Sequence, residues 1–285
     1  MLVNLDDVLI QAKKSGYAVG AFNVYNMETI EVVFDAAASL DIPVIIAFGE
    51  KYSNINNINL IARCVHELAN KTQIPIVLHL DHCKSEDLII QAIQAGFTSV
   101  MYDGSSMSNY DNIKNTSKVV KIAHAAGVTV EAELGYIPAE DSGELVPEDQ
   151  LTKPEEAKEF VEKTDCDALA IAVGTIHGNY IGKPKIYHDR LKEIAKVIST
   201  PLVLHGGSGN TEEDVILAIN EGISKININT EISNAAVKQL KEIFKNDYSG
   251  HLSALSNRIK EPMFTVIKGK MRLFSRGKIG SIPKR

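Results

Sequence analysis

Three of the eight histidines stand where a folded chain could bring them together. His82, His177 and His205 each come shortly after an apolar run of strand length, beside a small or acidic residue. Three neutral imidazoles with a fourth position open to substrate form the ligand pattern of a catalytic zinc ion. His79 lies inside its apolar run, so we expect it to be a hydrogen-bonded histidine of the interior. The pattern therefore predicts a metal centre built from the other three.

Acidic residues accompany these histidines at the ends of apolar runs. Asp81 adjoins His82, where a carboxylate can act as a general acid or base toward a metal-bound substrate. Asp103 and Glu133 stand at or near the ends of two further runs. Two interpretations of this second pair stay open. They either support the histidines through hydrogen bonds or form an alternative or second metal position.

A glycine-rich segment follows His205. It reads Gly-Gly-Ser-Gly over residues 206–209 and leads into an Asn-Thr pair followed by acids, which is typical of a capped helix start. Glycine lets the backbone approach an anion closely, and the amides of a helix N-terminus bind anions. A second polar segment, Asn-Ile-Asn-Thr over residues 227–230, follows the last apolar run. The two segments together predict a phosphate site.

Residues so far apart in sequence need a scaffold that gathers them at one edge. Apolar runs rich in β-branched residues span residues 18–24, 43–48, 76–80, 99–102, 129–134, 168–173, 202–204 and 225–228. Amphipathic segments between them include 29–40, 57–71, 85–95, 113–126, 154–163 and 212–221. Parallel strands covered on both faces have this composition. Eight such βα units predict an α/β fold, a (β/α)8 TIM barrel, whose active site lies at the C-terminal ends of its strands.

An open, doubly wound sheet is the structural alternative. It predicts a glycine-rich turn after the first strand, whereas residues 24–27 contain no glycine. The residues that could do chemistry instead follow many different strands, as a barrel requires. Because no linker or low-complexity stretch divides the chain, we predict a single domain over residues 1–285.

Composition narrows the classes of function. A formal net charge of −6 argues against sequence-independent nucleic-acid binding. No uninterrupted apolar stretch approaches the roughly 18 residues of a membrane helix. The three cysteines, Cys64, Cys83 and Cys166, lack Cys-x-x-Cys spacing, and acids occupy the N-terminus where a signal peptide carries bases. We therefore expect a cytoplasmic protein with neither a nucleic-acid nor a membrane partner.

In this arrangement the motifs resemble those of class II, zinc-dependent fructose-bisphosphate and tagatose-bisphosphate aldolases. They are Leu-His-Leu-Asp-His at 78–82, Tyr-Asp-Gly-Ser at 102–105, Val-Glu-Ala-Glu-Leu-Gly at 130–135, Gly-Thr-Ile-His-Gly at 174–178, Leu-His-Gly-Gly-Ser-Gly at 204–209 and Lys-Ile-Asn-Ile-Asn-Thr at 225–230. The resemblance runs in consistent order from about residue 4 to about residue 280, and jointly the motifs are highly specific.

The resemblance implies a role for each matching residue. His82, His177 and His205 would bind the catalytic Zn²⁺, and Asp81 would exchange the proton at the bond being cleaved. Asp103 and Glu133 would be further metal-binding positions, with room for a second divalent ion. The dihydroxyacetone-phosphate half would be held by Gly178, Gly206, Gly207, Ser208, Asn227, Ile228, Asn229 and Thr230. The family often places a monovalent cation, Na⁺ or K⁺, near that phosphate and usually forms homodimers or homotetramers.

Three departures from the family pattern concern the second half of the substrate. The loop after the second strand has Gly49 where the family often has serine. The loop after the fifth strand offers Glu140 or Asp141 as its acid, and we favour Glu140. Arg258 or Lys260 stands where the family commonly has an arginine for the distal phosphate.

The expected reaction is reversible cleavage of fructose 1,6-bisphosphate to dihydroxyacetone phosphate and glyceraldehyde 3-phosphate through a zinc-stabilised enediolate. Asp81 would take the proton of the C4 hydroxyl, and Glu140 would protonate the enediolate. Tagatose 1,6-bisphosphate or another phosphorylated ketose is the alternative substrate. A Schiff-base aldolase would need a reactive lysine that residues 168–174 lack. A metal-dependent hydrolase leaves the phosphate segments unexplained, and a non-catalytic phosphosugar-binding protein is the alternative from another class.

Overall fold

Eight parallel strands close into a barrel in chain order, with β1 pairing β8 to complete the ring. The structure, a computed structural model, describes residues 1–138, 146–179, 184–245 and 248–278. The strands are β1 Val19–Asn23, β2 Val44–Gly49, β3 Ile76–Cys83, β4 Ser99–Tyr102, β5 Thr129–Leu134, β6 Ala168–Ile171, β7 Leu202–Leu204 and β8 Ile223–Ile228. The predicted (β/α)8 barrel is confirmed.

Helices surround the barrel and connect its strands. They are α1 Leu5–Ser15, α2 Met27–Leu40, α3 Ile58–Ala69, α4 Glu86–Ala95, α5 Asn109–Ala125, α6 Pro154–Thr164, α7 His188–Val197, α8 Glu212–Asn220, α9 Thr230–Phe244 and α10 Leu252–Ser275. No helix among the described residues combines the length and the apolar character that crossing a bilayer requires.

Two layers of apolar side chains explain why this chain closes as a barrel. The larger layer lies between the strands and the helices, and isoleucine, valine and alanine are its most frequent residues. A smaller cluster joins inward-facing strand residues such as Val77 and Val203 to Leu5 and Leu9 of α1. The helix α1 therefore packs against the apolar part of the barrel interior, and the polar part is left for a site.

The ends of the strands carry capped helices that fix the loops between them. Ser85, Ser108 and Thr211 each accept a hydrogen bond from a backbone N–H in the first turn of α4, α5 and α8. Such a cap satisfies amides that the helix itself leaves without partners. The sequence signature at residues 210–214 predicts such a capped start, and the structure confirms it at Thr211.

The observed elements differ from the predicted ones at a few ends. β3 continues to Cys83 instead of stopping at residue 80, so Asp81 and His82 lie inside the strand. This is possible because Asp81 still pairs with Gly49 of β2, while the register to β4 shifts between Leu80 and Cys83. β6 ends at Ile171, two residues earlier than the predicted run.

A titratable carboxylate, Asp6, lies at the end of the barrel where the strands begin. Asp6 is half-buried in the first turn of α1, and burial, with the nearby Asp167 and Asp7 carboxylates, raises its pKa to about 6. The folded state then holds the Asp6 proton more tightly than the unfolded state does. Stability is therefore lost as the pH rises from the unfolded pKa through the folded one.

Replacing Asp6 with asparagine should raise the free energy of unfolding at pH 8, because it removes a charge that burial and nearby carboxylates disfavour. The gain should be only about 1 kcal/mol, since Asp6 is partly exposed and solvent screens the repulsion. The gain should shrink toward about pH 3, below the unfolded pKa, where Asp6 is mostly protonated in both states. Urea unfolding at the two pH values measures it. Asp87→Asn, at an exposed position in the first turn of α4, is the control. An equal gain at both pH values would contradict the assignment.

Candidate active site

A cavity of about 790 Å³ opens among the C-terminal ends of the strands. Most of the residues singled out from the sequence line it, although they come from six of the strands or the loops that follow them. They are Asp81, His82, Asp103, Glu133, His177, Gly178, His205, Gly206, Gly207, Ser208, Asn227, Asn229 and Thr230. The barrel brings these distant segments to one place.

Three imidazoles converge in this cavity. Ring centroids lie 4.4 Å apart for His82 and His205, 4.7 Å for His82 and His177, and 5.8 Å for His177 and His205. One ring nitrogen from each lies within 4.8 Å of the others, which suits a single metal ion. The backbone of His82 has a φ of 49°, a left-handed conformation that is uncommon for residues other than glycine.

Carboxylates fix the orientation of two of these rings. His82 Nδ1 lies 3.1 Å from Asp103 Oδ2, and His205 Nε2 lies 2.8 Å from Glu131 Oε1. With those nitrogens occupied, His82 Nε2 and His205 Nδ1 face each other at 2.8 Å. Pairing of the second ring nitrogen with a carboxylate is the usual arrangement around metal-binding histidines.

His82, Asp103 and Glu133 form a second group whose ligand atoms lie within 4.8 Å of one another. Asp103 Oδ1 accepts hydrogen bonds from the backbone N–H and the hydroxyl of Ser105, so its carboxylate is held in place. Glu133 Oε2 is buried and has no hydrogen-bond partner among the described residues. Both interpretations of the two acids therefore stay open. Asp103 orients the His82 ring, and Asp103 and Glu133 together with His82 could also hold a second metal ion.

The charges in the cavity explain why a cation fits there. Burial lowers the pKa of His177 to about 3, and the neighbouring His82 and His205 add to the effect. Burial raises the pKa of Glu133 to about 8. For His82 burial acts against protonation, but the Asp81 and Asp103 carboxylates raise its pKa to about 9. The surplus of carboxylates around His82 therefore favours a positive charge, which either a proton or a metal ion supplies.

The donor set fits a zinc ion. His177 Nε2 is buried without a hydrogen-bond partner among the described residues, as is Glu133 Oε2, and such atoms are costly unless a water or ion satisfies them. Imidazole nitrogens with carboxylate neighbours are the ligands that zinc takes in catalytic sites.

Asp81 lies between two amides at the floor of the cavity. Asn23 Nδ2 donates to Oδ2 over 2.8 Å, and Asn227 Nδ2 donates to Oδ1 over 3.1 Å. Burial works against ionisation, but the charges of His82, His205 and other neighbours hold the pKa of Asp81 well below its usual range. Asp81 is therefore an ionised, rigidly oriented hydrogen-bond acceptor beside the imidazoles.

Beneath these residues lies a fully buried ionic network. Lys225 Nζ donates hydrogen bonds to Glu131 Oε1 at 3.0 Å and to Asn227 Oδ1 at 2.7 Å, and it forms an ion pair with Glu131 Oε2 at 2.8 Å. His79 Nδ1 lies 2.8 Å from the hydroxyl of Ser99, and its Nε2 lies 3.6 Å from Glu131. His79 is thus a hydrogen-bonded histidine of the barrel interior, as expected.

The glycine-rich segment after β7 approaches its neighbours too closely for side chains. Gly206 has a φ of 63°, and a Cβ there would lie 2.2 Å from the carbonyl oxygen of Ile176. A Cβ on Gly207 would lie 2.6 Å from Ile226. Beside this segment, Asn229 and Thr230 begin α9 at the cavity wall, with no side chain capping the helix start among the described residues. Backbone amides at such a start attract anions.

Glu231 fastens this segment to the helices behind it. Its Oε1 accepts a hydrogen bond from the backbone N–H of Gly209 over 2.6 Å and another from Lys270 over 2.8 Å. Replacing Glu231 with alanine should loosen residues 206–209 and raise KM for a phosphorylated substrate about 3- to 10-fold, with a smaller change in kcat. Steady-state kinetics measure this, with Glu242→Ala on the exposed face of α9 as control. An unchanged KM would show that the contacts of Glu231 do not contribute to substrate binding.

Some predicted residues lie elsewhere. Ile228 has a fully buried side chain in the apolar layer between strands and helices and is absent from the described cavity wall. Lys260 forms an ion pair with Glu31, and Arg258 lies 5.9 Å from the ring centre of Tyr248. Neither basic residue belongs to the described cavity wall. Glu140 and Asp141 lie outside the described residues.

Sequence reasoning did not single out Asn23, Glu131 and Lys225 for a role. A signal was available, because alternate residues of a strand face the same side. Glu131 precedes Glu133 by two residues and Lys225 precedes Asn227 by two, so each shares a face with a residue that was selected. The apolar composition of the runs masked these polar residues.

Comparison with known proteins agrees with the geometry. The family model described as fructose-bisphosphate aldolase class-II matches residues 3–278. A fructose-bisphosphate aldolase of Staphylococcus epidermidis is 38% identical over 283 residues, covering 96% of this chain and 97% of the relative. One from Thermus caldophilus is 39% identical over 313 residues, covering 98% and 99%.

A solved structure shares the architecture. The YdjI aldolase from Escherichia coli K12 superposes with a TM-score of 0.88 at 34% identity, covering 99% of this chain and 100% of that one. The match to the family model and the relatives spans nearly the whole chain, including every strand that contributes to the cavity. The chain therefore belongs to the class II fructose-bisphosphate aldolase family.

Proposed function

We propose that this protein is a zinc-dependent aldolase that reversibly cleaves fructose 1,6-bisphosphate into dihydroxyacetone phosphate and glyceraldehyde 3-phosphate. The observation that carries the proposal is the convergence of three imidazoles beside the ionised Asp81 carboxylate, in a cavity large enough for a sugar phosphate. Membership of the family, and the identity of its relatives as fructose-bisphosphate aldolases, support the same reaction.

His82, His177 and His205 would hold the zinc ion. Bound there, zinc supplies a Lewis acid that draws electrons from the ketose carbonyl and stabilises the negative charge that cleavage creates. Asp103 and Glu133, together with His82, offer a second divalent-ion position. Glu131 and Asp103 keep two of the rings oriented by accepting their second N–H groups.

Asp81 acts as the base that starts cleavage. Its carboxylate takes the proton from the C4 hydroxyl, so that the C3–C4 bond breaks, its electrons remain with C3, and the C4–C6 fragment leaves as an aldehyde. In the condensation direction Asp81 returns this proton. The amides of Asn23 and Asn227 keep both carboxylate oxygens oriented throughout, because each oxygen accepts one N–H group.

The three-carbon product is held by its phosphate. The cavity is lined by Gly178, the segment 206–208, Asn227, Asn229 and Thr230, whose backbone amides and glycine-sized gaps suit an anion. A monovalent cation, Na⁺ or K⁺, would accompany the phosphate. Glu140 protonates the three-carbon carbanion at C3 to release dihydroxyacetone phosphate.

We also propose a domain organisation, an oligomeric state and a location for the protein. The barrel strands span Val19 to Ile228, and α1 and α10 pack against them, which supports one domain over residues 1–285. The family resemblance supports a homodimer or homotetramer. We also propose a cytoplasmic location, which the free cysteines Cys64, Cys83 and Cys166 and the metabolic substrate support.

An assay coupled to an enzyme that consumes dihydroxyacetone phosphate tests the substrate. We expect fructose 1,6-bisphosphate to be cleaved with a kcat/KM at least about 10-fold above that for tagatose 1,6-bisphosphate, a preference of about 1.4 kcal/mol. A higher kcat/KM for tagatose 1,6-bisphosphate would instead identify that sugar as the substrate. Binding of both sugars without cleavage of either would instead identify a phosphosugar-binding protein.

A further inference from the structure

A lysine buried inside the barrel is linked to both the proposed metal centre and the proposed base. Lys225 lies on β8, its side chain is fully buried, and its partner Glu131 on β5 is equally inaccessible. A buried ammonium is unfavourable unless its hydrogen bonds are satisfied. Lys225 donates one hydrogen bond to Glu131 Oε1 and one to Asn227 Oδ1, and its charge is also paired with Glu131 Oε2 at 2.8 Å.

On one side these contacts lead to the proposed metal centre. Glu131 Oε1 lies 2.8 Å from His205 Nε2 and 3.0 Å from Lys225 Nζ. A carboxylate that accepts the Nε2 proton leaves the Nδ1 lone pair of His205 directed at His82. Lys225 holds that carboxylate by contacting both of its oxygens, so it fixes the acceptor that sets the tautomer of His205.

On the other side the contacts lead to the proposed base. An ammonium only donates hydrogen bonds and an ionised carboxylate only accepts them. Asn227 lies between Lys225 and Asp81, so its Oδ1 must face Nζ, at 2.7 Å, and its Nδ2 must face Asp81 Oδ1, at 3.1 Å. Lys225 thereby prevents the Asn227 amide from turning over and presenting an oxygen to Asp81.

We propose that Lys225 is a positioning residue that holds the Asp81 carboxylate, through Asn227, in register with the His205 imidazole, through Glu131. The inference rests on the role proposed above for Asp81. A weaker role would be that Lys225 only neutralises the buried charge of Glu131. The two differ, because a neutral residue at position 131 would remove the need for a counter-ion but would not restore the orientation of Asn227.

Two variants separate these roles. Lys225→Met removes the ammonium and leaves Glu131 charged, whereas the double variant Lys225→Met/Glu131→Gln removes both charges. The glutamine oxygen can still accept a hydrogen bond from His205 Nε2. Lys118→Met, which breaks an exposed ion pair with Glu86, is the control. Wild type and Asp81→Ala are assayed alongside.

Three quantities are measured for each protein: the zinc dissociation constant by chelator competition, kcat and KM for fructose 1,6-bisphosphate at saturating zinc, and deuterium exchange at C3 of dihydroxyacetone phosphate. Exchange does not use the C4 base. Lys225→Met should bind zinc about 10- to 100-fold more weakly. The double variant should recover zinc affinity to within about threefold, yet keep a kcat about 30-fold or more below wild type with exchange within about fivefold.

Recovery of kcat in the double variant to within about threefold would overturn the proposal, since Lys225 would then be only a counter-ion. An equal fall of cleavage and exchange in that variant would overturn it as well, because it would indicate general damage. If Lys225→Met does not fold, the double variant alone decides. A fully active Asp81→Ala protein would instead contradict the proposed function, and that result needs no Lys225 variant.

Discussion

Replacing Asp81 with alanine is expected to lower kcat for cleavage of fructose 1,6-bisphosphate by about 10²- to 10⁴-fold, the usual contribution of a positioned acid or base. The reason is geometric: Asp81 is the ionised acceptor held beside the imidazoles by Asn23 and Asn227, and in alanine nothing takes the C4 hydroxyl proton. Zinc should still bind, because Asp81 is not among the residues that form the candidate metal groups.

Two measurements distinguish loss of the C4 base from loss of the metal or of the fold. Metal analysis should show zinc bound in amounts equal to wild type, and exchange at C3 of dihydroxyacetone phosphate should persist, since that step does not need the C4 base. Asp35→Ala, an exposed change on α2, should leave kcat unchanged. A near-normal kcat in Asp81→Ala would contradict the role assigned to this carboxylate.

Loss of the metal should lower catalysis at least as much as the Asp81→Ala substitution does. Removing zinc with a chelator, or replacing His177 with alanine, is expected to lower kcat/KM by about 10³-fold or more, because the stabilisation of the developing negative charge contributes several kcal/mol. Added zinc should restore the chelated wild-type protein. The His177→Ala protein should remain impaired at zinc concentrations that saturate the wild type.

The matched control for this prediction is a histidine at the opposite end of the barrel. His124 on α5 lies 2.8 Å from Asp167, which precedes β6, so His124→Ala should leave zinc affinity and kcat/KM within about threefold of wild type. Full activity of the wild-type protein after exhaustive chelation would contradict a metal-dependent reaction.

The positions of the proposed catalytic groups could be predicted because these residues lie at or just beyond strand ends. His82, His177 and His205 were selected as polar residues after apolar runs, and a closed parallel barrel brings such positions to one edge. The strand that differed most was β3, where Asp81 and His82 continue the strand through a shift of register. A shift of this kind depends on the pairing of neighbouring strands, which local composition does not encode.

The supporting network was harder to foresee. Glu131 and Lys225 are charged residues inside apolar strands, and single residues of that type carry no local indication of a partner. Their pairing across the barrel, 94 positions apart in sequence, exists only in the closed fold. The helices α1, α7, α9 and α10 were also not predicted individually. Their stability comes from packing against the barrel and against each other more than from local propensity.

The most direct test of the account is anomalous diffraction at the zinc absorption edge from crystals grown with zinc. The account predicts a strong peak inside the barrel mouth, at about 2.0–2.1 Å from one nitrogen of each of His82, His177 and His205. Zinc found only away from these three rings, or rings that point apart in zinc-saturated crystals, would contradict it.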